Sequence, residues 1–495
     1  MSTTLWEVKR FMERWSHDAR FREELLEDPQ GASDRCGLHV DTEALRPFWD
    51  PEIRVHLGRG EIALEDLAPV SRQHLQRIQE LVTLRGDLRA QAAPLDPLWR
   101  AWRQQHMERC KGELSQRSAD QIIFATAAHE LSQGCSVGCW FCGISAPSLR
   151  GHFEPSTANR KLFREVLEFL CEHCGVGSMR TQFLYWATDP LDNPDYELFS
   201  EDFRAVVGHY PLVTTAIPLR DPERTRRLLR RIREVEKYPR VDRFSVLTLR
   251  ELQRIHQTFS PDELGWIECV PQNAEGIGLK ANAGRFREAA IRNPARLAKE
   301  HSKLIGAASS TAGGERALHS SIAEQEHGTI ACVAGLLFNW VERSVKLVAP
   351  CRASERWPLG YWVLRKERFS SPKDLRDLVR NEFSEQMDTR IPDELLLRLR
   401  PGVQCSSTGS SLQIRSAHSG VQIGNPGAED YIADLQSLIL SGNHTASEIA
   451  RELMHRHGVW SGSTVQTLQG LFDKGLLSVW DDVSESGAPA ARASE

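Results

Sequence analysis

The sequence predicts an α/β fold in which a parallel sheet lies between a helical N-terminal region and a helical C-terminal module. Strand-like and helix-like segments alternate from about residue 120 to 300, which is typical of βα units and of a parallel sheet, open or rolled into a barrel. Before that stretch apolar residues recur at helical spacing, and after residue 428 three short helical segments follow one another. The 495 residues suffice for two to four domains.

The composition is that of an ordinary soluble globular protein, with 40% hydrophobic residues, 26% charged residues and a formal net charge of −5. Such a mild acidic balance gives no electrostatic reason to expect nucleic acid as a partner. No run of 18 or more apolar residues occurs, and the N-terminus lacks a signal-peptide pattern, so no membrane partner is expected. Eleven scattered cysteines, an odd number, favour a reducing compartment over a disulfide framework. We therefore predict a cytoplasmic protein.

Composition and pattern divide the chain into six segments. We predict a helical region over 1–115, the βα region over 116–300 and a mixed extension over 301–404. The Ser- and Gly-rich stretch 405–427 is predicted to be a linker, 428–482 a winged-helix-like module, and 483–495 a disordered tail.

Within the βα region the order of elements can be predicted from local signals. Strands are predicted at "QIIFATAAH", "TQFLYWAT", "LVTTAIP", "RFSVLTL" and "WIECVPQN". Helices are predicted at "ANRKLFREVLEFLCEHC" and at "DPERTRRLLRRIREVEKY", the second with Asp221 as N-cap and Pro222 in its first position. The arginines of that second helix lie on the side away from its leucines, which indicates a solvated face. Functional residues should follow the carboxyl ends of the strands.

A cysteine-rich loop follows the first predicted strand. "ELSQGCSVGCWFCGIS", residues 130–145, places Cys135, Cys139 and Cys142 in a C-x3-C-x2-C pattern. Three thiolates on one loop suit a cubic iron–sulfur cluster and leave one iron without a protein ligand. The missing fourth ligand therefore suggests an iron that is open to a small molecule.

A zinc site is the alternative for these cysteines. A structural zinc ion normally has four protein ligands, so it would have to recruit His129, or Cys171 and Cys174 from "CEHC". Those two cysteines lie at the end of a helix that should pack outside the sheet, and buried structural thiols explain them more simply.

The loop "CSVGCWFC" resembles the signature of the radical S-adenosylmethionine enzymes, C-x3-C-x-aromatic-C after the first strand of a barrel, with Phe141 in the aromatic position. The resemblance implies a partial (βα)6-type radical SAM barrel and a 4Fe-4S cluster whose free iron binds S-adenosylmethionine. It further implies a 5′-deoxyadenosyl radical and an electron donor such as flavodoxin or ferredoxin.

The resemblance also nominates contacts to S-adenosylmethionine. The family carries a Gly-Gly-Glu-like segment after its second strand, and "WATDP" stands there in this chain, with Thr188 and Asp189 as acceptors for the methionine amino group. The glycines are absent, and a turn or helix N-cap is the alternative role for an aspartate before proline. Ser245, near the end of the fourth strand, resembles the family's ribose or carboxylate contact.

Longer stretches resemble the peptide amino-acid epimerases that act on ribosomally made, proteusin-type precursors. They are "HELSQGCSVGCWFCGIS", "YWATDPLDNPDY" and "IACVAGLLFNWVERSVKLVAPCRASERWPLGYWV", and "FMERWSHDARFREELLEDPQGASDRCGLHVD" is similar to the leader of such precursors. The resemblance implies conversion of L- to D-residues in a precursor peptide with a leader. Another radical maturase, excising or cross-linking carbon, is the alternative enzyme, and a zinc-stabilised peptide-binding protein is the alternative without catalysis.

Epimerisation requires a hydrogen-atom donor on the face opposite to the one attacked. A reduced, reachable cysteine thiol that does not bind the cluster is suited to this role. Cys351, in "LVAPCRAS" after an apolar run, is the predicted donor, and Cys332 in "TIACVAGLL" is the second choice. An inert buried thiol is the alternative for either cysteine. The C-terminal module is expected to recognise the leader or to act as a structural cap.

Overall fold

The computed structural model describes residues 4–114, 116–236, 240, 242–296, 298–300, 328–329, 331–416, 418–424 and 427–478. It is a mixed α/β protein with several small sheets, which confirms the predicted α/β class. The predicted tail at 483–495 and most of the first third of the mixed extension lie outside the described residues. Among the described helices, none is both long and apolar enough to cross a membrane.

The N-terminal part is helical, as predicted. Its helices are α1 (Leu5–His17), α2 (Ala19–Glu27), α3 (Pro29–Arg35), α4 (Arg46–Trp49), α5 (Pro51–Gly58), α6 (Pro69–Gln91), α7 (Pro97–Leu114) and α8 (Gln116–Gln121). A capping box between Thr4 and Glu7 begins α1. Val8, Phe11 and Phe21 lie in a small separate core.

The first helix docks on the βα region through a buried carboxylate. Glu13 accepts hydrogen bonds from Lys9, from His256 Nε2 at 3.0 Å and from the Cys269 amide at 3.4 Å. Burial alone would raise the pKa of Glu13, but the charges and hydrogen bonds of Lys9 and His256 outweigh burial and lower it to about 2. The guanidinium of Arg10 adds hydrogen bonds to two backbone carbonyls of the same surface.

Strands and helices alternate in the βα region. The strands are β1 (Ala125–Glu130), β2 (Ser132–Gln133), β3 (Gly151–His152), β4 (Thr214–Thr215), β5 (Asp242–Val246) and β6 (Ile267–Pro271). The helices are α9 (Thr157–Cys174), α10 (Val176–Met179), α11 (Tyr196–Val207), α12 (Pro222–Val235), α13 (Leu249–Thr258) and α14 (Gly284–Arg292). Asp221 caps α12 by accepting from the Arg224 amide, as predicted.

The predicted strand at 181–188 is not a regular strand. Thr181 and Gln182 donate their amides to carbonyls of the preceding turn, and Ala187 has a φ of +54° that breaks an extended conformation. Only Phe183 forms a bridge, to Leu212. Two hydrogen bonds still join this segment to β1, from the His129 amide to the Phe183 carbonyl and from the Trp186 amide to the His129 carbonyl.

Parallel and antiparallel pairs both occur among these strands. β4, β5 and β6 form a parallel sheet, and β1 pairs in parallel with β7 (Val333–Asn339). β8 (Ser344–Pro350) and β9 (Tyr361–Arg368) extend the β1 sheet by antiparallel pairing. α15 (Pro372–Asp377) follows and continues as a π-helical turn over Leu378–Phe383.

Residues 405–427 differ from the predicted linker. They contribute most of an antiparallel sheet of β10 (Gln404–Thr408), β11 (Ser411–Arg415) and β12 (Gly420–Gly424). Leu412 and Ile414 alternate into a core under this sheet, while serine and glycine occupy its exposed face and turns, so composition alone resembled a loop. The three predicted helices follow as α16 (Glu429–Ser441), α17 (Ala446–His457) and α18 (Ser461–Asp473).

Candidate functional site

The cysteine loop runs from β2 to β3, directly after the buried strand β1. The Cys135 amide donates to the Pro147 carbonyl at 2.9 Å, and the Cys142 amide donates to the Cys139 carbonyl at 3.2 Å. Gly138 turns the chain between the first two cysteines with a φ of +64°. The loop therefore has a defined backbone that spaces the three cysteines.

The three thiols are half-buried and lie close enough to influence one another. Burial raises the pKa of Cys135 to about 11 and that of Cys139 to about 12, and the negative charges of neighbouring thiolates and of Asp189 act in the same direction. At neutral pH the thiols of Cys135 and Cys139 are therefore protonated in the metal-free chain. A cation bound there would displace those protons.

Residues at the start of α14, far from the cysteine loop in the sequence, contact that loop. The Arg285 amide donates to the Cys142 carbonyl at 3.0 Å, and its guanidinium donates to the Cys139 carbonyl at 3.3 Å. Gly284, with a φ of +53°, allows this approach, because a Cβ there would lie 2.4 Å from the Gly143 carbonyl oxygen. Sequence reasoning missed both residues, since nothing local connects them to the cysteines.

A second anchor was also missed. Asp192 has a fully buried side chain that accepts from the Ser136 amide at 2.8 Å and from its hydroxyl, and Arg220 donates to the same carboxylate at 2.8 Å. The chain thereby fixes the turn immediately after Cys135. Asp192 stands three residues after Asp189 in the stretch already nominated, which is the only sequence signal that points to it.

Asp189 lies near the loop, but its carboxylate is engaged within the protein. It accepts from the Leu191 amide at 3.0 Å, from the Ala216 amide at 2.7 Å and from the Thr215 hydroxyl at 2.8 Å. Burial outweighs these bonds and raises its pKa to about 6. It also caps the short turn over Pro190–Asp192, the alternative role considered above. The half-buried Thr188 donates to the Asp189 carbonyl at 3.4 Å.

The remaining nominated contacts occupy different positions. Phe141 is half-buried, with the ammonium of Lys280 5.2 Å from its ring centroid. Ser245 is half-buried in β5, on the face opposite to the buried Phe244 and Val246. Phe141 is thus part of the cysteine loop itself, whereas Ser245 belongs to the β4–β5–β6 sheet.

The two candidate donor cysteines lie next to strands of the sheet that contains β1. Cys351 follows β8, is 2% exposed and belongs to the main core, where Cys110 donates to the adjacent Pro350 carbonyl. Its segment also contacts the start of α14, because the Cys351 amide donates to the Gly360 carbonyl and the nearby Pro358 carbonyl accepts from the Gly284 amide. Cys332, half-exposed, precedes β7, and its carbonyl accepts from the Ala125 amide.

Two observations bear on a single metal ion at this loop. Among the described residues, no group of three or more His, Cys, Asp or Glu side chains is placed to hold one ion. His129, one of the alternative zinc ligands, is buried and bonded to Gln182 and Trp340.

Comparison with known proteins adds one relative. No family model matches the chain, and no solved structure matches it. The uncharacterized protein y4wI of Sinorhizobium fredii is 34% identical over 453 residues, which cover 90% of this chain and 82% of that protein. The chain therefore belongs to the same family as y4wI.

Proposed function

We propose that this chain is a radical S-adenosylmethionine enzyme that converts L-residues to D-residues in a ribosomally made precursor peptide. The observation that carries the proposal is the loop with Cys135, Cys139 and Cys142, whose half-exposed thiols follow the first strand of a partly parallel β-structure. The parallel sheet β4–β5–β6 and the bridged segment at Phe183 support a partial (βα)6-type barrel.

The chain's own residues would orient the reacting groups. Arg285 and Asp192 hold the loop backbone from two sides, so the thiols would bind a 4Fe-4S cluster with little rearrangement. When bound, the cluster and S-adenosylmethionine would supply the radical chemistry that removes a Cα hydrogen. The proposed contacts to S-adenosylmethionine are Thr188, Asp189, Phe141 and Ser245. The family resemblance is the basis for this assignment.

Cys351 is the proposed hydrogen donor, with Cys332 as second choice. Homolysis of its S–H bond would form a new Cα–H bond on the opposite face of the peptide and leave a thiyl radical. One electron from a flavodoxin- or ferredoxin-type donor and one proton from solvent would restore the thiol. The hydrogen bond from the Gly284 amide to the Pro358 carbonyl joins the segment after Cys351 to the start of α14, which in turn contacts the cysteine loop.

Co-expression with a precursor peptide encoded nearby, in D2O, tests the proposal. We expect deuterium at the Cα of specific peptide residues by mass spectrometry, and its loss in Cys351→Ala. Cys171→Ala is the matched control, because this half-buried thiol lies on α9 outside the cysteine loop. Deuterium that survives Cys351→Ala would transfer the donor role to Cys332.

Two other outcomes would replace the proposal. A peptide mass change without Cα deuterium would indicate excision or cross-linking by a radical maturase. A colourless protein that contains zinc and no iron after anaerobic purification would indicate a peptide-binding protein without this chemistry.

A further inference from the structure

An exposed aromatic side chain marks the outer side of the cysteine loop. Trp140, between two of the cysteines, is 47% exposed. The guanidinium of Arg296 lies 4.7 Å from its ring centroid, and the ring of Phe286 on α14 lies 5.9 Å from it. The loop therefore exposes part of an aromatic ring to solvent, with a guanidinium placed over that ring.

The charge of this surface comes from α14 and the residues after it. Residues 284–296 contain four arginines and one acidic residue, Glu288, whereas residues 134–149 contain no charged side chain. Arg292 and Arg296 are exposed, and Ile291, directly before Arg292, is 66% exposed. A local positive excess thus borders the cysteine loop of a chain whose net charge is −5.

We propose that the surface formed by Trp140, Ile291, Arg292 and Arg296, called the basic face below, docks an acidic one-electron carrier, a flavin or iron–sulfur protein of net negative charge. The inference rests on the proposed function, because a cluster on this loop requires electrons from outside. One electron would leave the carrier, oxidising it by one equivalent, and enter the protein at the loop. No bond to the carrier forms or breaks.

The shape and chemistry of the basic face suit a transient partner of that kind. Electron-transfer complexes bury little area and depend on electrostatic steering to reach fast association. An exposed tryptophan and arginines supply the contact types that dominate interface energetics. Arg292 and Arg296 also lie outside the core, so their substitution removes no buried contact.

The test compares Arg292→Glu/Arg296→Glu with Arg227→Glu/Arg230→Glu, a matched reversal on the exposed side of α12. Binding of a purified acidic bacterial flavodoxin to each holoenzyme is measured at low and high ionic strength. The rate of 5′-deoxyadenosine formation is measured with the reduced flavodoxin and, separately, with dithionite. The reversal on the basic face should weaken flavodoxin binding and flavodoxin-driven turnover about tenfold at low salt, with dithionite-driven turnover unchanged. Added salt should narrow the difference.

Each result decides the inference. Flavodoxin binding that is absent in the wild type, or equal in the basic-face and control variants, would overturn it. Binding that depends on Arg292 and Arg296 would support the docking site even if dithionite produced no 5′-deoxyadenosine, and that last result would count against the proposed function alone.

Discussion

Two parts of the chain carry cysteines three residues apart, and they differ in backbone conformation and in what packs around them. Cys139 and Cys142 lie on the loop after β2, where both thiols are half-exposed. Cys171 and Cys174 lie in the last turn of α9, where Cys174 is buried in the main core and the Cys171 carbonyl accepts from the Gly175 amide. Burial raises the pKa of both helical thiols, that of Cys171 to about 11.

The difference shows that equal spacing in the sequence does not give cysteines equal surroundings. On a helix, residues three apart share one face, and here that face packs on the sheet. On the loop, residues with the same spacing are both half-buried, and their own carbonyls accept hydrogen bonds from Arg285. The backbone conformation around the cysteines therefore decides what each pair contacts.

The largest effect should come from comparing the loss of one cysteine on the loop with the loss of one cysteine on α9. Cys139→Ala should abolish iron binding, because a cubic cluster held by two thiolates loses a third of its protein ligands. Cys171→Ala should retain the wild-type iron content, since its thiol does not belong to the loop. Iron per chain after anaerobic reconstitution measures both, and equal iron contents in the two variants would refute the assignment.

A smaller effect should follow from Gly284→Ala. The added Cβ would meet the Gly143 carbonyl oxygen at 2.4 Å on a backbone with a φ of +53°, so we expect a loss of about 3 kcal/mol in the free energy of unfolding. Gly86→Ala on α6 is the control, because no atom lies within 4 Å of its added Cβ and alanine favours a helix by about 1 kcal/mol. Urea unfolding distinguishes them. A Gly284→Ala variant as stable as the wild type would disprove the close contact between α14 and the loop.

The smallest effect concerns the strand that leads into the loop. Burial raises the pKa of Glu130 from 4.5 to about 7, although Lys346 and a hydrogen bond from Asn339 oppose the shift. The folded chain therefore holds this proton more tightly than the unfolded chain does. The contribution of Glu130 to the free energy of unfolding is fully present below pH 4.5 and is lost as the pH rises through about 7. The loss should be about 2 kcal/mol after allowance for partial exposure.

Glu130→Gln should remove that part of the pH dependence, because the amide does not titrate. Urea midpoints between pH 5 and 8 measure it, and Glu165→Gln on α9 serves as the control, since this carboxylate is exposed. Parallel curves for wild type and Glu130→Gln would show that Glu130 is not buried in solution.

Local signals predicted much of this fold, while long-range contacts escaped them. The cap at Asp221 and the helix Thr157–Cys174 are set by neighbours within one turn, so the sequence predicted them correctly. The anchors Gly284 and Arg285 lie about 140 residues from the cysteines they contact, and no periodicity connects them. The antiparallel sheet over β10–β12 was missed because serines and glycines on its exposed face masked the alternation of its few buried residues.

The buried carboxylate of Glu13 has a consequence for how such a protein can change over time. Its oxygens complete the hydrogen bonds of His256 and of the Cys269 amide, both on the βα region. Exchange of the first helices for another helical domain, by gene recombination, would leave those donors facing an apolar surface. The N-terminal helices and the βα region are therefore expected to be inherited together, as one unit of selection, although each has a core of its own.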